Sequence, residues 1–139
     1  RLVCFNETAP SSATAIGTIR GLDGDSRIVG IDFRPADNTL YGLGDAGGVY
    51  TLSLEDASAA LVSRLNVALD GTVFDIDFNP TVDRLRVISD AQQNLRVNVD
   101  TGATLEDTDL VYPGTVPTPA GGVTAAAYTN NDSSPDTAT

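Results

Sequence analysis

Apolar residues in this chain occur in short runs, and clusters of Pro, Gly, Asp and Asn separate these runs. In the first half of the chain the runs are Ile28–Phe33, Leu40–Leu43, Val49–Leu54 and Ala60–Leu69. No window carries the apolar stripe with a spacing of about 3.6 residues that is typical of a helix. The pattern therefore predicts short β-strands joined by tight turns.

The pattern of the first half returns in the second half. The runs Val73–Phe78, Leu85–Ile88, Leu95–Val99 and Thr104–Tyr112 follow in the same order. The residues that recur 45 positions later are Ile31, Asp32, Phe33, Pro35 and Leu40, as Ile76, Asp77, Phe78, Pro80 and Leu85. Four strands per repeat of about 45 residues are typical of a β-propeller blade. A β-sandwich has similar strand spacing but does not explain the repeated I-D-F-x-P, so we predict an all-β, β-propeller-like fold.

We expect one β-repeat domain over residues 1–139. It divides into a partial repeat (1–27), two repeats (28–70 and 71–121), and the start of a further repeat with a polar tail (122–139). Leu2–Asn6 and Ala13–Ile19 resemble the third and fourth strands of a blade, and Val123–Thr129 resembles a first strand. These pieces do not complete a ring, so we expect missing sequence, a second copy or neighbours in a polymer to complete the fold. The isolated chain is then not a stable monomer.

The repeat also predicts which large residues form the core. Phe33 and Phe78 occupy equivalent places, and we expect both to be buried. Cys4 is the single cysteine, and its apolar neighbours predict a packed thiol, with an interchain disulfide as the alternative. The tail Asn130–Thr139 has almost no apolar side chains and is expected to be an exposed linker. Asn6 and Asn131 lie in glycosylation sequons, which matter only in a eukaryotic secretory pathway.

Charge limits the range of partners. The chain has 8 basic residues, all Arg, against 19 acidic residues, and its net charge is −11. Nucleic acid is excluded as a partner because its phosphates require a basic surface. No apolar stretch approaches the length of a membrane span. Protein partners therefore remain, as self-association or as the missing part of the same protein.

The absence of His narrows the possible chemistry. It removes Ser–His–Asp and Cys–His catalysis, imidazole metal ligands and the usual general base near neutral pH. No catalytic residue and no organic cofactor are predicted.

Asp32, Asp75 and Asp77 form one candidate site, because first strands line the central channel of a propeller. Carboxylates converging there suit Ca²⁺, which binds six to eight oxygen atoms. The alternative is that each Asp bonds backbone or Arg within its own blade. The segment Asp23-Gly24-Asp25 resembles only half of a calcium-binding loop.

Arg84, Arg86 and Arg96 form a second candidate site for an anionic or carboxylate ligand. Arg84 and Arg86 alternate on one strand face. Pairing with Arg96 across strands is repulsive unless acids intervene, and we expect Asp75, Asp77 or Asp83 to do so. Buried Arg–Asp pairs between blades are the alternative to a ligand site.

The stretches G-I-D-F-R-P, F-D-I-D-F-N-P-T-V-D-R-L-R-V and A-A-Y-T-N-N resemble a bacterial secreted family, the domain-of-unknown-function family numbered 4394. The resemblance implies an extracytoplasmic, propeller-like domain and implies no reaction.

We therefore expect a secreted or cell-surface, non-enzymatic binding or scaffold domain of unknown ligand. The alternatives are a structural subunit of an extracellular assembly or filament completed by strand sharing, and a calcium-dependent propeller hydrolase.

Overall fold

The computed structural model describes residues 1–129, and this part of the chain is all-β, without helices. A hairpin of β1 (Leu2–Asn6) and β2 (Ala9–Gly17) comes first. The first sheet then contains, in spatial order, β3 (Ile28–Arg34), β4 (Thr39–Gly44), β5 (Gly48–Leu52) and β6 (Ala59–Arg64). The second sheet contains β7 (Phe74–Asn79), β8 (Arg84–Ser89), β9 (Asn94–Val97) and β10 (Thr104–Glu106). A last hairpin joins β11 (Val111–Tyr112) and β12 (Thr118–Pro119).

Both four-stranded sheets are antiparallel meanders with matching pairing registers. Phe33 pairs with Leu40 in the first sheet, and Phe78 pairs with Leu85 in the second. Their turns match as well, because Gly47 and Gln92, 45 residues apart, both have positive φ angles, of 84° and 76°. Left-handed backbone is unusual for a side chain such as that of Gln92, so the turn geometry is imposed by the sheet around it.

The two sheets pack face to face around one apolar core. Phe78, at the centre, is fully buried, and its ring meets that of Tyr41 edge-on with 5.4 Å between centroids. A Cβ atom on Gly30 would lie 3.0 Å from Cγ1 of Ile76, so the glycine allows the inner strands β3 and β7 to approach closely. Buried leucines and valines from β4, β5, β8 and β9 complete this core.

A second, smaller core lies on the other face of the first sheet. Leu2 of β1 packs there with Leu40, Tyr50, Leu52 and Ala57. The hairpin β1–β2 covers only part of this face, and 46% of Ile31 and 40% of Phe33 stay exposed. The expected burial is therefore confirmed for Phe78 and wrong for Phe33, because the first sheet covers Phe78 whereas no complete sheet covers Phe33. The packed thiol predicted for Cys4 is also wrong, because Cys4 lies on β1 with its side chain exposed.

The ends of the chain depart from the predicted strand pattern. The strand expected at Thr104–Tyr112 stops at Glu106, and Val111–Tyr112 pairs with β12 instead. Val123–Thr129 forms no strand and is held by side chains of the second sheet. The predicted linker at 130–139, with Asn131, lies outside the described residues. Residues 1–129 contain no helix with the length and apolar character that a membrane span needs.

Candidate functional site

The aspartates predicted to line a channel hold backbone N–H groups of the element that follows them. Asp32 on β3 accepts a hydrogen bond of 2.8 Å from the backbone N–H of Phe78 on β7. Asp77 on β7 accepts one of 2.7 Å from the N–H of Tyr128. The same kind of bond thus links each of these repeated aspartates to the element that follows it. The alternative prediction placed these hydrogen bonds within each blade. It was wrong about the donor, because the N–H group belongs to the neighbouring element.

Asp75 adds a third bond of this kind, accepting from the N–H of Ala126 at 2.9 Å. The segment 123–129 is thus attached to the second sheet by two carboxylates of β7. The Nε–H of Arg86 donates to the Tyr128 hydroxyl at 3.4 Å and completes the attachment.

The surroundings of Asp77 change its acidity. Burial is the main cause that raises the pKa of Asp77, to about 6, and the N–H of Tyr128 opposes it. The negative charges of Asp32 and Asp75 raise this pKa further. Asp77 therefore exchanges its proton in mildly acidic solution, where an ordinary Asp is fully ionised.

No set of three His, Cys, Asp or Glu side chains within residues 1–129 is arranged to hold a metal ion. Calcium binding by Asp32, Asp75 and Asp77 stays a prediction. Asp25, from the segment that resembled half a calcium loop, accepts bonds from Ala46 N–H (2.5 Å) and the Tyr50 hydroxyl (2.6 Å). Burial alone would raise the pKa of Asp25, but these hydrogen bonds and the charge of Arg64 hold it below the usual value.

The predicted arginine site is partly assembled. Arg86 and Arg96 are cross-strand partners, and both pair with Asp107 rather than with the acids expected from the sequence. The two guanidinium groups lower the pKa of Asp107. Arg84 stands apart and donates to the backbone carbonyls of Val82 and Asp83. The three arginines do not converge on one anion.

A cleft of about 370 Å³ lies beside these groups, between β8 and the segment 123–129. Asp77 and Arg86 face it, and Ile88 and Leu110 form apolar walls. The cleft offers hydrogen bonds and one cation, without a nucleophile–base pair among the lining residues.

The most highly connected charged residue was not predicted. Arg34, at the end of β3, is only 9% exposed and pairs with both oxygens of Asp83 and of Asp100. These partners lie in two turns of the second sheet, and their hydrogen bonds are the main cause that raises the pKa of Arg34. Arg34 therefore clamps the two sheets together. In the sequence, Arg34 differs from its counterpart in the second repeat, which is Asn79. That difference alone does not predict contacts with residues 49 and 66 positions away.

An apolar groove of about 360 Å³ runs between β1 and β3. None of its lining residues is charged. These residues are Leu2, Val3, Cys4, Phe5, Ile16, Ile31, Phe33, Leu40 and Leu54.

A family model described as "Domain of unknown function (DUF4394)" matches residues 1–139. Neither a curated protein nor a solved structure matches the chain.

Proposed function

Because the chain belongs to the DUF4394 family, whose description names no activity, we propose its function from the geometry of the site. The protein is a non-enzymatic binding or scaffold domain that acts outside the cytoplasm. It is built from β-propeller-like, four-stranded repeats of about 45 residues, as the matching strand registers of the two sheets suggest. Placement outside the cytoplasm rests on the resemblance to a secreted family.

One observation carries this proposal. Asp32 and Asp77 are candidate calcium ligands. Each accepts a hydrogen bond from a backbone N–H of the element that follows in the chain. A carboxylate that repeats with the fold and binds the next repeat serves the architecture. If these carboxylates serve the fold, then binding of a ligand or partner falls to the exposed surfaces and grooves of the protein.

Unfolding measurements with and without millimolar Ca²⁺ test the proposal. Asp32→Ala leaves the Phe78 N–H without its acceptor, so we expect a loss of about 1–3 kcal/mol in the free energy of unfolding. Asp109→Ala is the matched control, because the exposed Asp109 makes no hydrogen bond or ion pair within residues 1–129. Added Ca²⁺ should change neither result. Stabilisation by Ca²⁺ that disappears in Asp32→Ala would instead support a calcium site and contradict the proposal.

The apolar groove favours a second candidate, a structural subunit completed by strands of neighbouring copies. Val3, Phe5, Ile31, Phe33 and Leu54 are each 40–56% exposed around this groove, and contiguous exposed patches of this kind mark association surfaces. Sedimentation of the purified chain tests this candidate. A mass that grows with concentration supports it, and a compact monomer at micromolar concentration contradicts it.

A further inference from the structure

The segment 123–129 is held on the second sheet mainly by polar bonds rather than by apolar packing. It forms no strand, and within it only Val123 and Tyr128 are partly buried. Asp75 and Asp77 of β7 accept hydrogen bonds from two of its backbone N–H groups. Because little apolar surface is buried, a change in the charge of either carboxyl group bears directly on how firmly the segment is attached.

Two glycines just before the segment provide a hinge. Gly122 has a φ angle of 80°, and a Cβ atom on either Gly121 or Gly122 would meet no atom of residues 1–129 within 4 Å. The chain is anchored at this point by backbone bonds. The N–H of Ala120 donates to the carbonyl of Leu110 at 2.8 Å, and that of Gly122 donates to the carbonyl of Asp90 at 3.0 Å. Since glycine permits many backbone conformations, the segment can turn away while these anchors stay in place.

The carboxyl group of Asp77 contacts that of Asp32 as well as the segment. The two carboxyl groups are hydrogen-bond partners, and a bond between two such groups requires that one of them carries a proton. A protonated Asp77 can donate its O–H to Asp32 and still accept from the Tyr128 N–H through its other oxygen. The attached segment therefore suits a protonated Asp77, whereas ionisation places two negative charges side by side.

The remaining charged and titratable groups around Asp77 do not reverse this preference. Asp75, on the same strand, adds negative charge. Arg86, the cross-strand partner on β8, adds positive charge but already pairs with Asp107 at 2.6 Å. The Tyr128 N–H favours the ionised carboxylate, but burial has the larger effect and raises the pKa of Asp77 to about 6. Departure of the segment would return this carboxylate to water and remove much of that cost.

We propose that the segment 123–129 is a pH-controlled strap, which is attached when Asp77 is protonated and released from the second sheet when Asp77 is ionised. The attached state binds the proton more tightly than the released state, so acid favours attachment. Release widens the cleft of about 370 Å³ and uncovers its apolar walls, Ile88 and Leu110. Proton uptake thus controls access to this face of the second sheet, which goes beyond the scaffold role proposed above.

Amide hydrogen exchange at Ala126 and Tyr128 tests the strap. Their protection factors, corrected for the intrinsic pH dependence of exchange, measure the ratio of attached to released segment. The pKa of Asp77 is about 6 with the segment attached, and we expect the ordinary value of 3.8 after release. Both protection factors should then fall about tenfold from about pH 5 to about pH 7. The buffer contains no divalent cation, so no metal ion neutralises the carboxylates.

Two variants separate Asp77 from other groups. In Asp77→Asn the side-chain amide keeps an oxygen for the Tyr128 N–H and an N–H for Asp32 but does not titrate. Both protection factors should therefore stay constant over this pH range. Asp109→Asn is the matched control, because the exposed Asp109 makes no hydrogen bond or ion pair within residues 1–129. This control should keep the fall seen in the wild-type protein.

Several results would overturn the strap. Protection in the wild-type protein that is constant with pH would do so, as would protection that falls on acidification. An equal fall in Asp77→Asn would assign the pH dependence to another group. No protection of either amide at about pH 5 would mean that the segment is not attached. A stability loss in Asp32→Ala together with any of these results would overturn this inference alone and leave the scaffold function standing.

Discussion

Single charged side chains connect parts of this molecule that are distant in sequence. Arg34 reaches Asp83 and Asp100 in the second sheet, and Asp32 reaches the backbone of Phe78. Arg34 is 9% exposed and pairs with two carboxylates of the second sheet, whereas the half-buried Asp32 accepts from one backbone N–H. In such partly dry surroundings an unpaired charge is costly. No buried side-chain N or O atom within residues 1–129 lacks a hydrogen-bond partner.

Removing the Arg34 clamp should destabilise the protein strongly. Arg34→Ala removes the charged hydrogen bonds to Asp83 and Asp100, whose side chains are 35% and 57% exposed, so we expect a loss of about 2–3 kcal/mol in the free energy of unfolding. Arg34→Lys keeps the charge but cannot bind two carboxylates in a bidentate manner, so we expect an intermediate loss. Chemical denaturation measures both variants, with Arg27→Ala as the control because Arg27 is exposed and its ion pair is long, at 3.8 Å. Equal losses at Arg34 and Arg27 would contradict the clamp.

Asp77 should make stability depend on pH in an unusual direction. Its pKa in the folded protein is about 6, above the ordinary value of 3.8, so the folded state binds the proton more tightly than the unfolded state. This group's contribution is therefore most favourable below about pH 4 and is lost as the pH rises through about 6. Asp77→Asn should lack this component, so the stability of the wild-type protein relative to Asp77→Asn should fall as the pH rises from about 4 through about 6. A difference between the two curves that does not change with pH would contradict the raised pKa.

The Asp77 carboxyl carbon should titrate in NMR with a midpoint of about 6. Asp32→Asn should lower that midpoint, because the negative charge of Asp32 is one cause of the raised pKa. An unchanged midpoint in Asp32→Asn would show that the pKa of Asp77 is raised without a contribution from the charge of Asp32.

At the scale of strands, local pattern and long-range packing contribute separately. Alternating apolar residues between Pro, Gly and Asp turns located the strands of both sheets, because those signals act within a few residues. The sequence could not distinguish Phe33 from Phe78, because both have the same local motif and only Phe78 has a sheet packed on it. The pairing of Arg86 and Arg96 with Asp107 was not predicted for the same reason, because it depends on the spatial order of the strands.

The two phenylalanines should therefore differ in energetic weight. Phe78→Ala removes a fully buried ring from the core between the sheets and should cost about 3–5 kcal/mol. Phe33→Ala removes a ring that is 40% exposed and should cost about 1 kcal/mol. Urea denaturation of the matched pair decides this. Similar costs at both positions would show that Phe33 is covered in solution by something that residues 1–129 do not provide.

At the scale of the whole molecule, the two sheets share one core while the chain ends contribute little to it. Tyr41, Leu43 and Val49 of the first sheet pack with Phe78 and Leu85 of the second. The Arg34 clamp and the Asp32 hydrogen bond cross the same interface. By contrast, β1 and β2 are mostly exposed, and the segment 123–129 is attached through side chains. We infer that the sheets unfold together and that the ends open first.

Native-state hydrogen exchange tests this order of opening. Amides of β4, β5, β8 and β9 should exchange only through global unfolding, since these central strands carry most of the buried residues of their sheets. Their apparent opening free energies should coincide and fall together as denaturant is added. Amides of β2 should exchange at a much lower free energy, because nearly all of β2 is solvent-exposed. Arg34→Ala should lower the opening free energy of both sheets equally if the interface makes them one unit, whereas a drop confined to one sheet would show that each sheet is stable by itself.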